Sequence, residues 1–455
     1  MATDNTHARL NRFNRSFKTL LWLVGFSFSQ NALAQIPLIP DSITNLNTNF
    51  HFQLTTVTQG HPSFAAPYTG QNSVVQDEPE ATTLTATIFW GIQLGKFSEL
   101  YLNPEIAGGS GISSAKGIAG FTNGEAFRVG NPAPSIYMAR MYFSHTFNLG
   151  GEEEDLSLGA NQVIKTRSSR YVQLVFGKFS IADFFDKNSY SHDPRSQFMN
   201  WSLMSNGAWD YPANVRGYTW GVMVEYGNPN WAARIASTMV PQEANGDVMD
   251  TRISEARSTT LELERRYTIA SRPGTFRLLG FYTQAHMGNY QLALAQNPTA
   301  PDITSTRTYG RYKYGMGLNV EQQVGNNYGM FARASWNDGQ NETWAFTEID
   351  QSASIGIVNK AGLIRKASDE FGLGLVVNGI SADHRAYLKS GGYGFMIGDG
   401  KLNYAPEMIF EANYKVNLFY QGFWVTPDYQ FVVNPAYNAD RGPIHLFAIR
   451  VHIEL

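Results

Sequence analysis

The sequence predicts an all-β fold: a transmembrane antiparallel β-barrel of an outer membrane, with about 16 strands, long extracellular loops and one loop folded inward as a constriction. Three observations carry this expectation. Apolar and polar residues alternate with period two along much of the chain, the mark of a strand with different surroundings on its two faces. The alternating runs extend to about ten residues rather than the five or six usual in soluble sheets, which suits a tilted strand crossing a bilayer. Tight connections such as Gly95-Lys96-Phe97, Gly227-Asn228-Pro229-Asn230 and Gly325-Asn326-Asn327 are followed one strand later by loops that are often far longer.

The first element is a leader. Arg9, Arg12, Arg15 and Lys18 precede the apolar run Leu20 to Phe28, and Ala32-Leu33-Ala34 follows, so residues 1–34 read as a signal peptide and 35–455 as the barrel. Cleavage there removes four basic residues and Asp4, taking the formal charge from −3 to −6, a mildly acidic balance that argues against a nucleic-acid partner. The chain has 455 residues, 13% of them aromatic, and no Cys, which excludes disulfides and thiolate metal sites. Its mean hydropathy is only −0.27, so apolar residues are interleaved rather than massed, and no run reaches the roughly 20 needed for a spanning helix.

The strands then follow in order, at 49–58, 82–94, 98–107, 136–148, 171–179, 218–226, 230–240, 258–267, 275–285, 309–324, 328–337, 344–357, 371–379, 406–418, 422–433 and 444–455. In the second, Leu84, Ala86, Ile88, Trp90, Ile92 and Leu94 point one way and Thr83, Thr85, Thr87 and Gln93 the other. In the fourteenth, Met408, Phe410, Ala412, Tyr414, Val416 and Leu418 oppose Glu407, Glu411, Asn413, Lys415 and Asn417. The last runs Phe447, Ile449, Val451, Ile453 and Leu455 against Ala448, Arg450, His452 and Glu454. Residues 393–397 could form another strand, but an even count assigns them to a long outer loop. Sixteen strands leave an aqueous channel rather than a packed lumen.

A charged face turned inward would carry Arg140, Lys178, Glu225, Arg234, Glu262, Glu264, Lys313, Glu321, Arg333, Glu411, Lys415, Asp428 and Arg450. Both signs are present, and facing rings of such groups set solute preference in a pore. The segment 180–217 is too long and aromatic for bare solvent-exposed chain, with Phe184, Phe185, Tyr190, Trp201, Trp209 and Tyr211 beside Asp186, Lys187, Asp193, Arg195 and Arg216. Folded inward, it would narrow the channel and offer flat rings to sugar C–H faces and charged groups to hydroxyls. Asp186, Arg195, Trp201, Trp209 and Arg216 are therefore the loop candidates for substrate contact, with Arg140, Arg234, Arg333 and Glu411 on the wall.

The run GKFSIADFFDKNSYSHDPRSQFMNWSLMSNGAWDYPANVRGYTWG from Gly177 resembles the signature region of the OprB family of carbohydrate-selective porins. GGSGISSAKGIAGFTNGEAFRVGNPAP before it, and WNDGQNETWAFTEID, VVNGISADHRAYLKSGGYGFMIGDG and TPDYQFVVNPAYNADRGP after it, resemble that family in the same order. The resemblance implies a sixteen-stranded monomeric pore for passive diffusion of sugars and other small polar solutes. Leu455 departs from it, since such barrels more often end in Phe or Trp.

Other functions find little support. G-x-S-x-G, P-loop and H-E-x-x-H motifs are absent, so an outer-membrane enzyme is disfavoured, and no cofactor is expected. Asp183 and Asp186 read as solvated acids rather than a metal site. A plugged transporter needs more chain than the roughly dozen residues before the first strand. The closer rival is a general or anion-preferring porin, which inward arginines allow as readily. Expected partners are the solutes, outer-membrane lipids and the barrel assembly machinery.

Overall fold

The computed structural model describes residues 47–126, 132–156, 159–361, 368–418 and 422–455. The expected signal peptide lies outside these residues. From Thr48 onward the chain is one compact unit.

Sixteen antiparallel strands close on themselves. The first four are β1 (Thr48–Gly60), β2 (Ala81–Gly95), β3 (Ser98–Gly109) and β4 (Ser135–Asn148). A separate two-stranded hairpin, β5 (Glu153–Asp155) with β6 (Thr166–Ser168), interrupts the order. The wall resumes with β7 (Tyr171–Phe179), β8 (Thr219–Gly227), β9 (Trp231–Met239), β10 (Arg257–Ile269), β11 (Arg272–Met287) and β12 (Thr308–Gln323). It finishes with β13 (Tyr328–Asn337), β14 (Gln351–Asn359), β15 (Glu370–Gly379), β16 (Glu407–Asn417), β17 (Phe423–Val433) and β18 (Ile444–Glu454). β18 pairs back onto β1 from Gln53 opposite Glu454 to Gly60 opposite Phe447, so neither terminal strand is left as an unpaired edge.

Burial is inverted relative to a soluble protein. Ile136 is 74% exposed, Phe176 61% and Phe447 55%, while Glu262, Lys313, Glu411 and Arg450 are fully buried. Apolar groups face outward and charged groups inward, the pattern of a barrel whose outside meets lipid. Tyr282, Tyr312, Tyr314 and Trp336 form a row of contacting rings near the loop-side rim, and Tyr226, Trp231 and Tyr328 sit near the turn-side rim. These are the two aromatic girdles of a membrane barrel.

Fifteen of the expected strands fall within a few residues of their places; three readings need correction. Residues 344–350 are not strand. Trp344 and Phe346 alternate with the small residues Thr343, Ala345 and Thr347 because they pack into the lumen, and the Trp344 and Ala345 N–H groups donate to the Asp210 carboxylate at 2.8 and 2.7 Å. Lys178 does not point inward. It pairs with Met141 and Trp220 on the outward face, one residue from the loop-side end of β7, where a long side chain reaches the rim. Finally, residues 149–170 join β4 to β7 on the side of the short turns, yet this connection carries β5 and β6. Residues 393–397 lie in the loop between β15 and β16, as expected, with Met396 and Ile397 N–H donating to Glu348 at 2.8 and 2.9 Å.

Candidate functional site

The connection between β7 and β8, residues 180–218, crosses the lumen and is fastened to the opposite wall. Asp183 starts it: with Ser180 it forms a capping box, and its carboxylate takes a bidentate pair from Arg140 at 2.7 and 2.6 Å. Asp186, buried and in a left-handed conformation (φ 54°), turns the chain. Its carboxylate accepts from Asn206 N (2.7 Å), Asn206 Nδ2 (2.8 Å), Asn319 Nδ2 (2.5 Å) and Arg333 Nε (3.2 Å), and its own N–H donates to Glu262 at 2.7 Å. Arg333 also donates to the carbonyls of Leu203 and Ser191 at 2.9 and 2.6 Å. Further along, Glu411 accepts the Met199 and Asn200 N–H groups at 2.7 and 2.9 Å, and Arg450 donates to the carbonyls of Pro194 and Gln197.

Asp186, Arg333 and Glu411 therefore act as fasteners between loop and wall. Trp201 and Trp209 form the interior of the loop. Trp201 is 7% exposed, with its ring parallel to those of Phe346 (4.6 Å) and Tyr211 (5.5 Å); Trp209 is 3% exposed and packs on Phe185 and Tyr211.

The other loop arginines meet the wall at one place. Arg195 donates to Glu125 and Glu105, both at 3.0 Å, and to Thr87 at 3.2 Å. Burial alone would lower its pKa, but Glu125 and Glu105 hold the guanidinium charged, well above its ordinary range. Arg216 donates to Ser135 at 3.0 Å and lies 4.3 Å over the Tyr137 ring, while Arg140 lies 5.2 Å over Tyr218. Tyr137 and Tyr218 both donate to Glu105, the latter at 3.2 Å. The register explains why Arg140 reaches this cluster. Asn103 lies opposite Arg140 and Pro104 opposite Met138, so β4 carries one extra residue, Ala139, and this bulge lets Tyr137 and Arg140 face inward together although three residues apart. Pro104, which has no N–H for the ladder, occupies that irregularity.

Of the nine residues expected to touch substrate, Arg140, Arg195 and Arg216 thus converge. Arg234 lies apart, on the turn-side wall, donating to Glu225, to Glu262 at 2.5 Å and to Glu264 at 2.9 Å. Tyr137, Tyr218 and Glu105 were not anticipated. Glu105 shares an inward parity with Glu99 and Asn103, and Tyr218 follows Arg216 by two residues at the end of the loop, so both were legible; Tyr137 was hidden by the bulge, which breaks simple alternation.

A family model described as carbohydrate-selective porin, OprB family, matches residues 92–455. Among solved structures, OprB of Pseudomonas putida superposes with a TM-score of 0.65 at 15% identity, covering 90% of this chain and 94% of that one. The outer membrane channel DcaP of Acinetobacter baumannii gives 0.48 at 9% identity, covering 90% and 98%. Salmonella typhi OmpF, in complex with daunomycin, gives 0.46 at 10% identity, covering 90% and 97%. No curated protein matches the sequence. At these identities the solved structures speak for the fold alone, whereas the family match spans most of the sequence: the chain belongs to the OprB family of carbohydrate-selective porins.

Proposed function

We propose that carbohydrates crossing this outer-membrane porin are contacted by the cluster of Arg140, Arg195, Arg216, Tyr137, Tyr218 and Glu105, between the inward loop and strands β3 and β4. The carrying observation is the charge balance there. Arg140 pairs with Asp183 at 2.6 Å, Arg195 with Glu105 and Glu125 at 3.0 Å each, and Arg216 lies 3.9 Å from Asp247, so no guanidinium in the cluster lacks a facing carboxylate. Such a surface offers donors and acceptors to hydroxyls without a net field that would draw anions, which favours a neutral solute over the general or anion-preferring alternative. Half-buried Arg216 and Tyr137 leave part of their surface open, so they are the groups a solute would reach first.

In this reading Trp201 and Trp209, expected from sequence to stack on sugar, act by stiffening the loop, since protein covers their rings. Asp186, Arg333 and Glu411 hold it in place. Transport is diffusion down a gradient and calls for no nucleophile. The apolar belt suits outer-membrane lipid, and a barrel with this girdle suits delivery by the assembly machinery.

Swelling of liposomes loaded with refolded protein tests the proposal. Neutral hexoses and disaccharides should enter faster than sugar acids of equal size, and Arg216→Ala, which leaves the carboxylates in excess, should widen that difference. Equal entry of neutral and acidic sugars, unchanged in Arg216→Ala, would overturn it.

A further inference from the structure

The turn-side half of the barrel holds a cavity of about 720 Å3, within the range of small-molecule pockets. One of its boundaries is unexpected. Turn-side connections in such barrels are short, but the one between β4 and β7 sends residues 159–165 back into the lumen. They are held there by several wall groups. Asn49 Nδ2 donates to the carbonyls of Gly159 and Gln162 at 3.2 and 2.8 Å, and Asn103 Nδ2 donates to Asn161 Oδ1 at 3.0 Å. Glu99 accepts the Val163 and Ile164 N–H groups at 3.1 and 2.8 Å, and both of those side chains are buried. The wall is also shaped for them: a Cβ at Gly91 on β2 would lie 2.4 Å from Val163 Cγ2, so the segment's seat depends on a glycine there.

Above this floor the cavity is lined by Asn161, Gln162, Arg167, Lys187, His192 and Arg277, among others. Arg167 lies 3.6 Å over the Tyr171 ring. Arg167 Nε, His192 Nδ1 and Arg277 Nη1 are buried and have no hydrogen-bond partner among the described residues. Such atoms in a buried setting call for a polar partner. Glu99, Asp183, Glu225 and Glu264 on the same lining nearly balance Arg167, Lys187, Arg234, Arg266 and Arg277.

We infer that residues 159–165 form a second constriction, on the turn side, and that the cavity above it is a second carbohydrate station, reached after the arginine and tyrosine cluster. The occupant's identity rests on the sugar-pore reading; the constriction does not. A solute leaving the first cluster would meet amide, guanidinium and imidazole groups in place of bulk water, so passage would proceed between two weak sites rather than from one strong one. Two weak sites speed transit, since binding must be loose enough to allow release.

The test replaces residues 150–169 by Asn-Gly, a two-residue hairpin turn that suits the Leu149 to Arg170 backbone pairing. In planar bilayers of oriented protein, potassium chloride conductance should rise about twofold or more as the constriction is removed. Maltose added on the turn side should block current about tenfold more weakly, while block from the loop side persists. Unchanged conductance together with unchanged turn-side block in a folded, heat-modifiable barrel would overturn the inference. Should the shortened chain not fold, Gly91→Val, which displaces Val163, and the pair Gln162→Ala with Arg167→Ala provide the same readouts; conductance unchanged in the first and turn-side block unchanged in the second would equally overturn it. A rise in conductance with no maltose block from either side, in wild type as well, would uphold the constriction while removing both the second station and the sugar reading.

Discussion

Single residues in this barrel are judged by which solvent they face. Phe410 lies in mid-strand on the outward side, opposite Leu375 and Phe431, so Phe410→Arg should destabilise the barrel by ~2–4 kcal/mol if it lies near the midplane, measurable by denaturant titration in lipid. Its neighbour Glu411 faces the lumen and binds two loop N–H groups. Glu411→Gln should spare the barrel but loosen the loop, seen as noisier current; a barrel as unstable as that of Phe410→Arg would contradict the facing assignment. A loop-side clasp offers a pH test. Glu78 accepts from His61 at 3.1 Å and from Ser113 N and Oγ at 2.7 to 3.0 Å, joining the β1–β2 and β3–β4 loops. The hydrogen bond to Glu78 raises His61 above 6.5 against burial. Burial would raise Glu78, but the bonds from His61 and Ser113 lower it below 4.5. The stability from raised His61 is full below pH 6.5 and is lost as pH rises through its folded value; that from Glu78 is present above pH 4.5 and lost on acidification through its lowered value. Proteolysis of these loops should therefore be slowest between about pH 5 and 6. A rate independent of pH from 4 to 9, after correction for the protease, would contradict the clasp.

Among the elements, wall and lumen contents differ in how clearly the sequence shows them. Strands were legible because lipid on one side and polar lumen on the other impose strict alternation, as in Leu84 to Leu94. The segment 344–350 imitated that pattern for a different reason, since its rings pack on the inward loop. The inward loop could be expected from its length and aromatic content, but the division of labour within it could not. Which side of Trp201 is covered depends on Phe346, far along the chain, and sequence spacing carries no such information. Trp201→Ala should cost ~3–5 kcal/mol at the loop, as for other buried large-to-small changes, with the barrel intact. Near-ultraviolet dichroism and current noise should change together, while far-ultraviolet dichroism stays β-rich; an unaffected loop would remove the supporting role assigned to this ring.

At the scale of the whole molecule, a closed wall supplies the span, an internal loop narrows it, and the proposed function gives selection among solutes to a charge-balanced cluster. The architecture was legible from period, strand length and connection lengths, and family membership from extended motifs. Convergence of Arg140 with Arg195 and Arg216 was not, because it depends on a bulge at Ala139 and on where a long loop lands. In the proposed function this cluster contacts the passing sugar. Single-channel recording with a neutral disaccharide titrated against wild type and Arg216→Ala tests it most directly. The variant should conduct potassium chloride at least as well while sugar block weakens roughly tenfold, the equivalent of one charge-assisted hydrogen bond of ~1.5 kcal/mol. Sugar block of equal strength in the two proteins, with Arg140→Ala behaving alike, would contradict it.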